Sequence, residues 1–156
     1  MSGTDLLICP KGFQKKTETN MTQHQIILVQ KTWRLLRGIK PEIIGDVFYS
    51  KLFTEFPAAK RMFTGSMNNQ YKKFIDMLSI VVGRLNNLEE LTEDINEMAK
   101  RHAGYGVKAE HYKIVGDALL WTLQQGLGAD WDDEVEDAWA ACYQMLADTM
   151  IAASEY

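Results

Sequence analysis

Read backwards from His102, the apolar residues fall at Met98, Ile95, Leu91 and Leu88, in steps of four, three, four and three. That is the repeat of one helical face, not the period of two that a strand requires. Similar stripes recur along the chain. One runs Ile26, Val29, Trp33, Leu36, another Phe74, Met77, Leu78, Val81, Leu85, and a third Val135, Ala138, Trp139, Cys142, Leu146, Thr149. No alternating pattern of any length, internal repeat or low-complexity segment breaks them. The predicted fold class is all-α, with about seven helices.

Local signals place the boundaries. Thr22 is an N-cap for the first helix, and Pro41 suits the first turn of the second. Pro57 ends that helix and starts a short piece, "PAAKRMF", which leads to the loop "TGSMNN". The helix carrying His102 stops at the break marked by Gly104 and Gly106. "AEHYKIVGDALLWTLQQGL" is apolar over much of its surface, as befits a helix buried between others, and is expected to end at Gly126 and Gly128. The last helix opens with acidic residues, which favour the helix dipole.

A length of 156 residues fits one domain. Residues 21–156 are read as that domain and residues 1–20 as a disordered N-terminal extension. The net charge of −4 argues against a nucleic-acid module, which usually carries a basic face. No apolar run is long enough to span a membrane, and the first residues lack the apolar core of a signal peptide. Of the two cysteines, Cys9 lies in the extension and Cys142 inside a helical stripe. No disulfide between them is expected, and a reduced, cytoplasmic setting follows most simply.

Three polar residues interrupt apolar stripes: His102 closes one, Gln70 opens another, and Tyr49 lies beside Phe48, Leu52 and Phe53. Each costs about 1–3 kcal/mol if buried without a partner. His102 is either a core histidine bonded to a backbone carbonyl or a ligand. Tyr49 is either a core aromatic with a satisfied hydroxyl or a functional donor. Gln70 is either a solvated first-turn residue or part of the same site. Spacing alone leaves all three open.

Several placed segments carry a resemblance that bears on the choice. Tyr49 in "VFYSKLF", Pro57 and Phe63 in "FPAAKRMF", and Gln70, Lys73 and Phe74 in "QYKKFIDML" follow one another in order. "KRHAGYGVKAEHYKIVGDALL" and "DAWAACYQML" continue the series. From about residue 25 to 154 the chain resembles the bacterial single-domain globins related to the globin half of flavohaemoglobins. The resemblance implies a globin fold around a haem pocket, with haem b (iron protoporphyrin IX) as cofactor and His102 as the iron ligand. It makes Tyr49 and Gln70 the distal pair on which any chemistry rests. Phe63, Phe74, Met98, Val107 and Val115 become lining residues, and Tyr112 the tyrosine on the proximal side. Lys73 either approaches a haem propionate or is simply solvated. His111 is expected at the surface or behind the ligand, and His24 has no role. The family's proximal glutamate falls on Tyr156, with Glu155 one place short, a departure that weakens the expected electron push on the histidine.

By the same resemblance the chain binds O2, and also NO and CO, holding O2 tightly and releasing it slowly for storage or transport. The alternative is a nitric oxide dioxygenase served by a separate reductase; a sensor role is a third. A monomer or weak homodimer is expected, with no nucleic-acid or membrane partner.

Overall fold

Thr22 opens the first helix as its spacing predicts. Its hydroxyl accepts the Gln25 N–H and the Gln25 side chain accepts the Thr22 N–H, a reciprocal capping box. The computed structural model describes residues 21–154, so the expected disordered extension over 1–20, Cys9, Glu155 and Tyr156 all lie outside the described residues. Helix α1 spans Gln23–Leu36 and buries Ile26, Val29, Trp33 and Leu36. Helix α2, Pro41–Glu55, has proline in its first turn and stops where Phe56 takes an extended backbone before Pro57. A short 3-10 helix follows at Pro57–Met62 and serves as the seventh helix expected. Helix α3 is Met67–Gly83, and a 3-10 turn, Leu88–Leu91, leads into α4, Thr92–Gly104. Helix α5 is His111–Leu127 and α6 is Asp133–Ser154. No strand occurs among the described residues, and none of their helices is long and apolar enough to cross a membrane.

One boundary differs from expectation. Gly128, with φ of 54°, ends α5 as predicted, but Gly126 lies inside the helix. Its role is contact: a Cβ there would come within 2.6 Å of a Leu36 methyl group. Glycine at that point lets α1 approach α5, which a punctuation rule does not foresee.

Helix α6 packs against α1, α4 and α5, while α2 packs against α3 and α5. The α1–α6 contact is fixed by a polar pair within the core. Trp139 Nε1 donates to Thr32 Oγ1 at 2.9 Å, and the same hydroxyl donates to the Leu28 carbonyl at 2.7 Å. Both side chains are buried and both have partners, so the pair adds specificity without an unpaired group. The stripes gave no warning of Thr32.

Cys142 is buried in the same helix and free of any disulfide. Burial pushes its thiol up from 9.0 to about 12. The unfolded chain therefore loses this proton near pH 9 while the folded chain keeps it, so stability falls as pH rises through that interval. Urea midpoints measured upward from about pH 8 are expected to drop, by at most about 1.4 kcal/mol per pH unit for this one group. Cys142→Ala is expected to flatten the slope; an equally steep fall in the variant would overturn the assignment.

Candidate functional site

Tyr49 on α2 is only 4% exposed and sits among aromatic rings, with Phe48, Phe63 and Phe74 at centroid distances of 4.9, 5.2 and 5.7 Å. A phenol in such surroundings needs a polar partner. Gln70, in the first turn of α3, provides it: its Nε2 donates to the Tyr49 hydroxyl oxygen at 2.9 Å. The hydroxyl is the acceptor in that bond, and its own proton has no acceptor among the described residues. Burial raises the Tyr49 pKa to about 12, against the opposing pull of the Gln70 bond and with a smaller push from Tyr71. The group is therefore a neutral O–H donor at any physiological pH.

Gln70 reaches Tyr49 because α3 lies close against α2. Gly45 allows this approach: a Cβ on it would fall 2.4 Å from Tyr71 Cβ. Next to that contact the Tyr71 hydroxyl donates to Asp46 Oδ1 at 3.3 Å, joining the two helices again. Gly45→Ala sets two effects against each other. Alanine improves helix propensity by about 1 kcal/mol, but overpacking against a side-chain base that cannot swing aside costs about 1–3 kcal/mol. The collision is expected to win, giving a net loss of about 1–2 kcal/mol in urea denaturation. Unchanged or raised stability would contradict the close approach.

His102, in the last turn of α4, has Nδ1 at 2.8 Å from the Met98 carbonyl oxygen. A carbonyl only accepts, so Nδ1 carries the proton and Nε2 presents a lone pair. Nε2 has no hydrogen bond among the described residues. Desolvation draws the His102 pKa below 6.5, outweighing the opposite pull of the Met98 carbonyl, and Arg101 pushes the same way as burial. The imidazole is held neutral, with its ring fixed by the Met98 bond.

The stripe that leads to His102 changes character along its length. Leu88, Leu91 and Ile95 are buried, but Met98 and His102 are only half-buried. Phe63, Phe74, Val107, Tyr112 and Val115 are half-buried as well. Helix α3, bearing Gln70, shares no substantial interface with α4, bearing His102. Apolar side chains from four segments are thus left without full packing partners. Lys73 is exposed and without an ion pair among the described residues.

A family model described as Globin matches residues 46–150. The chain belongs to the globin family. An uncharacterised globin-like protein of Aquifex aeolicus is 31% identical over 131 residues, 84% of this chain and 92% of that protein. A flavohemoprotein of Vibrio cholerae is 28% identical over 134 residues, 84% of this chain but 34% of that protein. The globin thus spans about a third of the flavohemoproteins it matches. Among solved structures, a bacterial globin from Campylobacter jejuni superposes with a TM-score of 0.73 at 27% identity, covering 85% of this chain and 96% of that one.

The residues of this globin fit a haem. His102 Nε2 and the Tyr49 hydroxyl hydrogen have no hydrogen-bond partner among the described residues, and Phe63 and Phe74 near Tyr49 and Met98 near His102 are only half-buried. Among the described residues no group of three His, Cys, Asp or Glu side chains converges. A bare metal ion therefore has no cage, whereas iron whose equatorial ligands come from a porphyrin needs only one or two ligands from the protein.

Two contacts of this globin went unforeseen. Tyr143 donates its hydroxyl to the Tyr112 carbonyl at 2.6 Å, and its ring fills the space over Gly116, where a Cβ would lie 2.6 Å away. Tyr112 is thereby fixed through its backbone. The one signal was the small residue at 116, four positions after Tyr112. His111 is half-buried: Nδ1 accepts the Lys108 N–H at 3.0 Å, and its ring lies 4.8 Å from Phe56. It closes the turn that precedes α5 and ties the start of that helix to the end of α2. His24 lies 3.6 Å from Glu134 at the surface.

Proposed function

We propose that this globin holds haem b and binds O2 reversibly, retaining it tightly and releasing it slowly. Haem held through His102 would supply a ferrous iron able to bind a diatomic gas. The observation that carries the reading is the Tyr49 proton, buried and unspent. Donors aimed at a partly negative ligand stabilise it, by about 1.5–3 kcal/mol for a bond to charge. Gln70 is already donating to the Tyr49 oxygen, so it acts through the phenol, orienting and polarising the O–H. Phe63, Phe74, Met98, Val107 and Val115 keep water out, which strengthens that bond. Lys73, exposed three residues after Gln70, would meet a propionate, and Tyr112, whose carbonyl accepts from Tyr143, would back the proximal side. Titration of the protein with haemin, followed by stopped-flow release of O2 and of CO, tests this. A colourless product, or O2 released as readily as in a site without donors, would overturn it.

The likeness to flavohemoproteins favours a second reading, a nitric oxide dioxygenase that joins NO and O2 into nitrate. That activity would need a reductant for the haem iron at each turn. Mixing the oxygenated protein with NO separates the two: one nitrate per haem supports the binding role, and repeated turnover with a reductase supports the enzyme.

A further inference from the structure

Gln70 fixes the Tyr49 oxygen but not the Tyr49 ring. A phenol turns about the axis that runs from Cβ through the ring to the hydroxyl, and that turn leaves the oxygen in place. Its O–H lies near the ring plane, so the plane sets where the proton points. The Gln70 Nε2 bond at 2.9 Å is therefore compatible with several directions of the Tyr49 proton. The plane has to be held by something else.

Among the described residues, Phe48, Phe63 and Phe74 stand steeply against the Tyr49 ring, at 81°, 74° and 67°, and Phe53 is tilted at 40°. Tyr71 is the ring nearest to parallel, at 29° with centroids 5.7 Å apart, an offset stack. Tyr71 is itself held at both ends. A Cβ on Gly45 would collide with Tyr71 Cβ, Cγ and Cδ1, so the base of the side chain is seated on α2. At its tip the hydroxyl donates to Asp46 Oδ1 at 3.3 Å, and the same oxygen accepts from Ser50 Oγ at 3.4 Å. Gly45 and Tyr49 lie one turn apart on one face of α2, and Tyr71 lies along that turn. Tyr49 is buried, Tyr71 half-buried and Asp46 exposed, so Tyr71 sits on the solvent side of the phenol. It also follows Gln70 directly, and its seat on Gly45 pins the first turn of α3 that carries Gln70.

We infer that Tyr71 is a positioning residue: clamped between Gly45 and Asp46, it holds the plane of the Tyr49 ring and so aims the Tyr49 proton at a ligand in the site. The inference rests on the O2-binding reading above and adds the residue that sets how far O2 is favoured over CO. A misdirected O–H loses its bond to a partly negative ligand, whereas a less polar ligand loses little. Supporting groups of this kind work by locking the rotamers of the groups that meet the ligand.

The test compares the haem-loaded chain with Tyr71→Leu, which keeps bulk on the Gly45 seat and loses the planar face and the hydroxyl. O2 release is expected to become about tenfold faster, and CO release to change less. The C–O stretching band of the CO-bound protein is expected to broaden or split as the proton takes more than one direction. Tyr71→Phe keeps the face, so it and Asp46→Ala should each speed O2 release only about twofold, and the two together no more than either alone. The deciding variant joins Tyr49→Phe to Tyr71→Leu: with no proton left to aim, it should release O2 no faster than Tyr49→Phe. Additive effects in either pair, equal acceleration of O2 and CO, or an unchanged stretching band overturns the inference. Fast release from Tyr49→Phe beside wild-type release from Tyr71→Leu overturns it alone; wild-type release from Tyr49→Phe overturns the O2 reading with it.

Discussion

A His102→Ala variant is expected to fold normally and to lose its hold on haem. The fold loses little, because the imidazole is half-buried and makes one hydrogen bond, to the Met98 carbonyl. Such a bond is worth about 1 kcal/mol, against a total stability on the order of 5–15 kcal/mol. Haem affinity loses far more. Groups that merely support a metal ligand cost about 10- to 100-fold when removed; with His102 proposed as the ligand itself, the fall should exceed that range. Circular dichroism of the apoprotein and a haemin titration followed at the Soret band read the two effects separately. A His102→Gly variant given free imidazole should regain the band, which separates a lost ligand from a damaged pocket. Native absorption in the unrescued alanine variant would remove His102 from its role.

Tyr49→Phe should speed O2 release about 10- to 100-fold, the exponent of a lost hydrogen bond worth about 1.5–3 kcal/mol. CO release should change less, because CO carries less negative charge when bound. The substitution keeps the ring that packs against Phe48, Phe63 and Phe74, so stability should scarcely move. Gln70→Leu should have a smaller effect than Tyr49→Phe, since Gln70 acts through the phenol oxygen. With the Tyr49 pKa at about 12, wild-type release should be flat with pH until well into the alkaline range. An unchanged O2 release rate in Tyr49→Phe would end the proposed mechanism.

How much of this could be read from residues alone depends on what kind of force is involved. Helices were legible because burial imposes a period: the stripes at Ile26–Leu36 and Val135–Leu146 are buried as their spacing requires. Caps and breaks at Thr22, Pro41, Pro57 and Gly128 were legible because they are local backbone chemistry. Tyr49, Gln70 and His102 stood out as polar residues on apolar faces, yet their purpose came from the resemblance and not from spacing. Contacts between distant segments were opaque. Nothing local marks Gly126 as the seat of a Leu36 methyl, Gly45 as the place where Tyr71 rests, or Thr32 as the partner of Trp139. Those depend on which faces meet, and the sequence period is silent about that. The half-burial of Met98 and His102 was equally unforeseen, because a stripe predicts a direction and not what it faces.

The bond between Thr32 and Trp139 joins positions 107 residues apart. At a synthesis rate of about 5–20 residues per second, the first helix emerges roughly 5–20 s before its counterpart exists. During that delay α1 can meet α3, where Trp33 Nε1 donates to Ser79, and later α5, where Leu36 lies over Gly126. Only the side that carries Thr32 must wait for α6, so the first helix docks in stages and its polar core bond closes last.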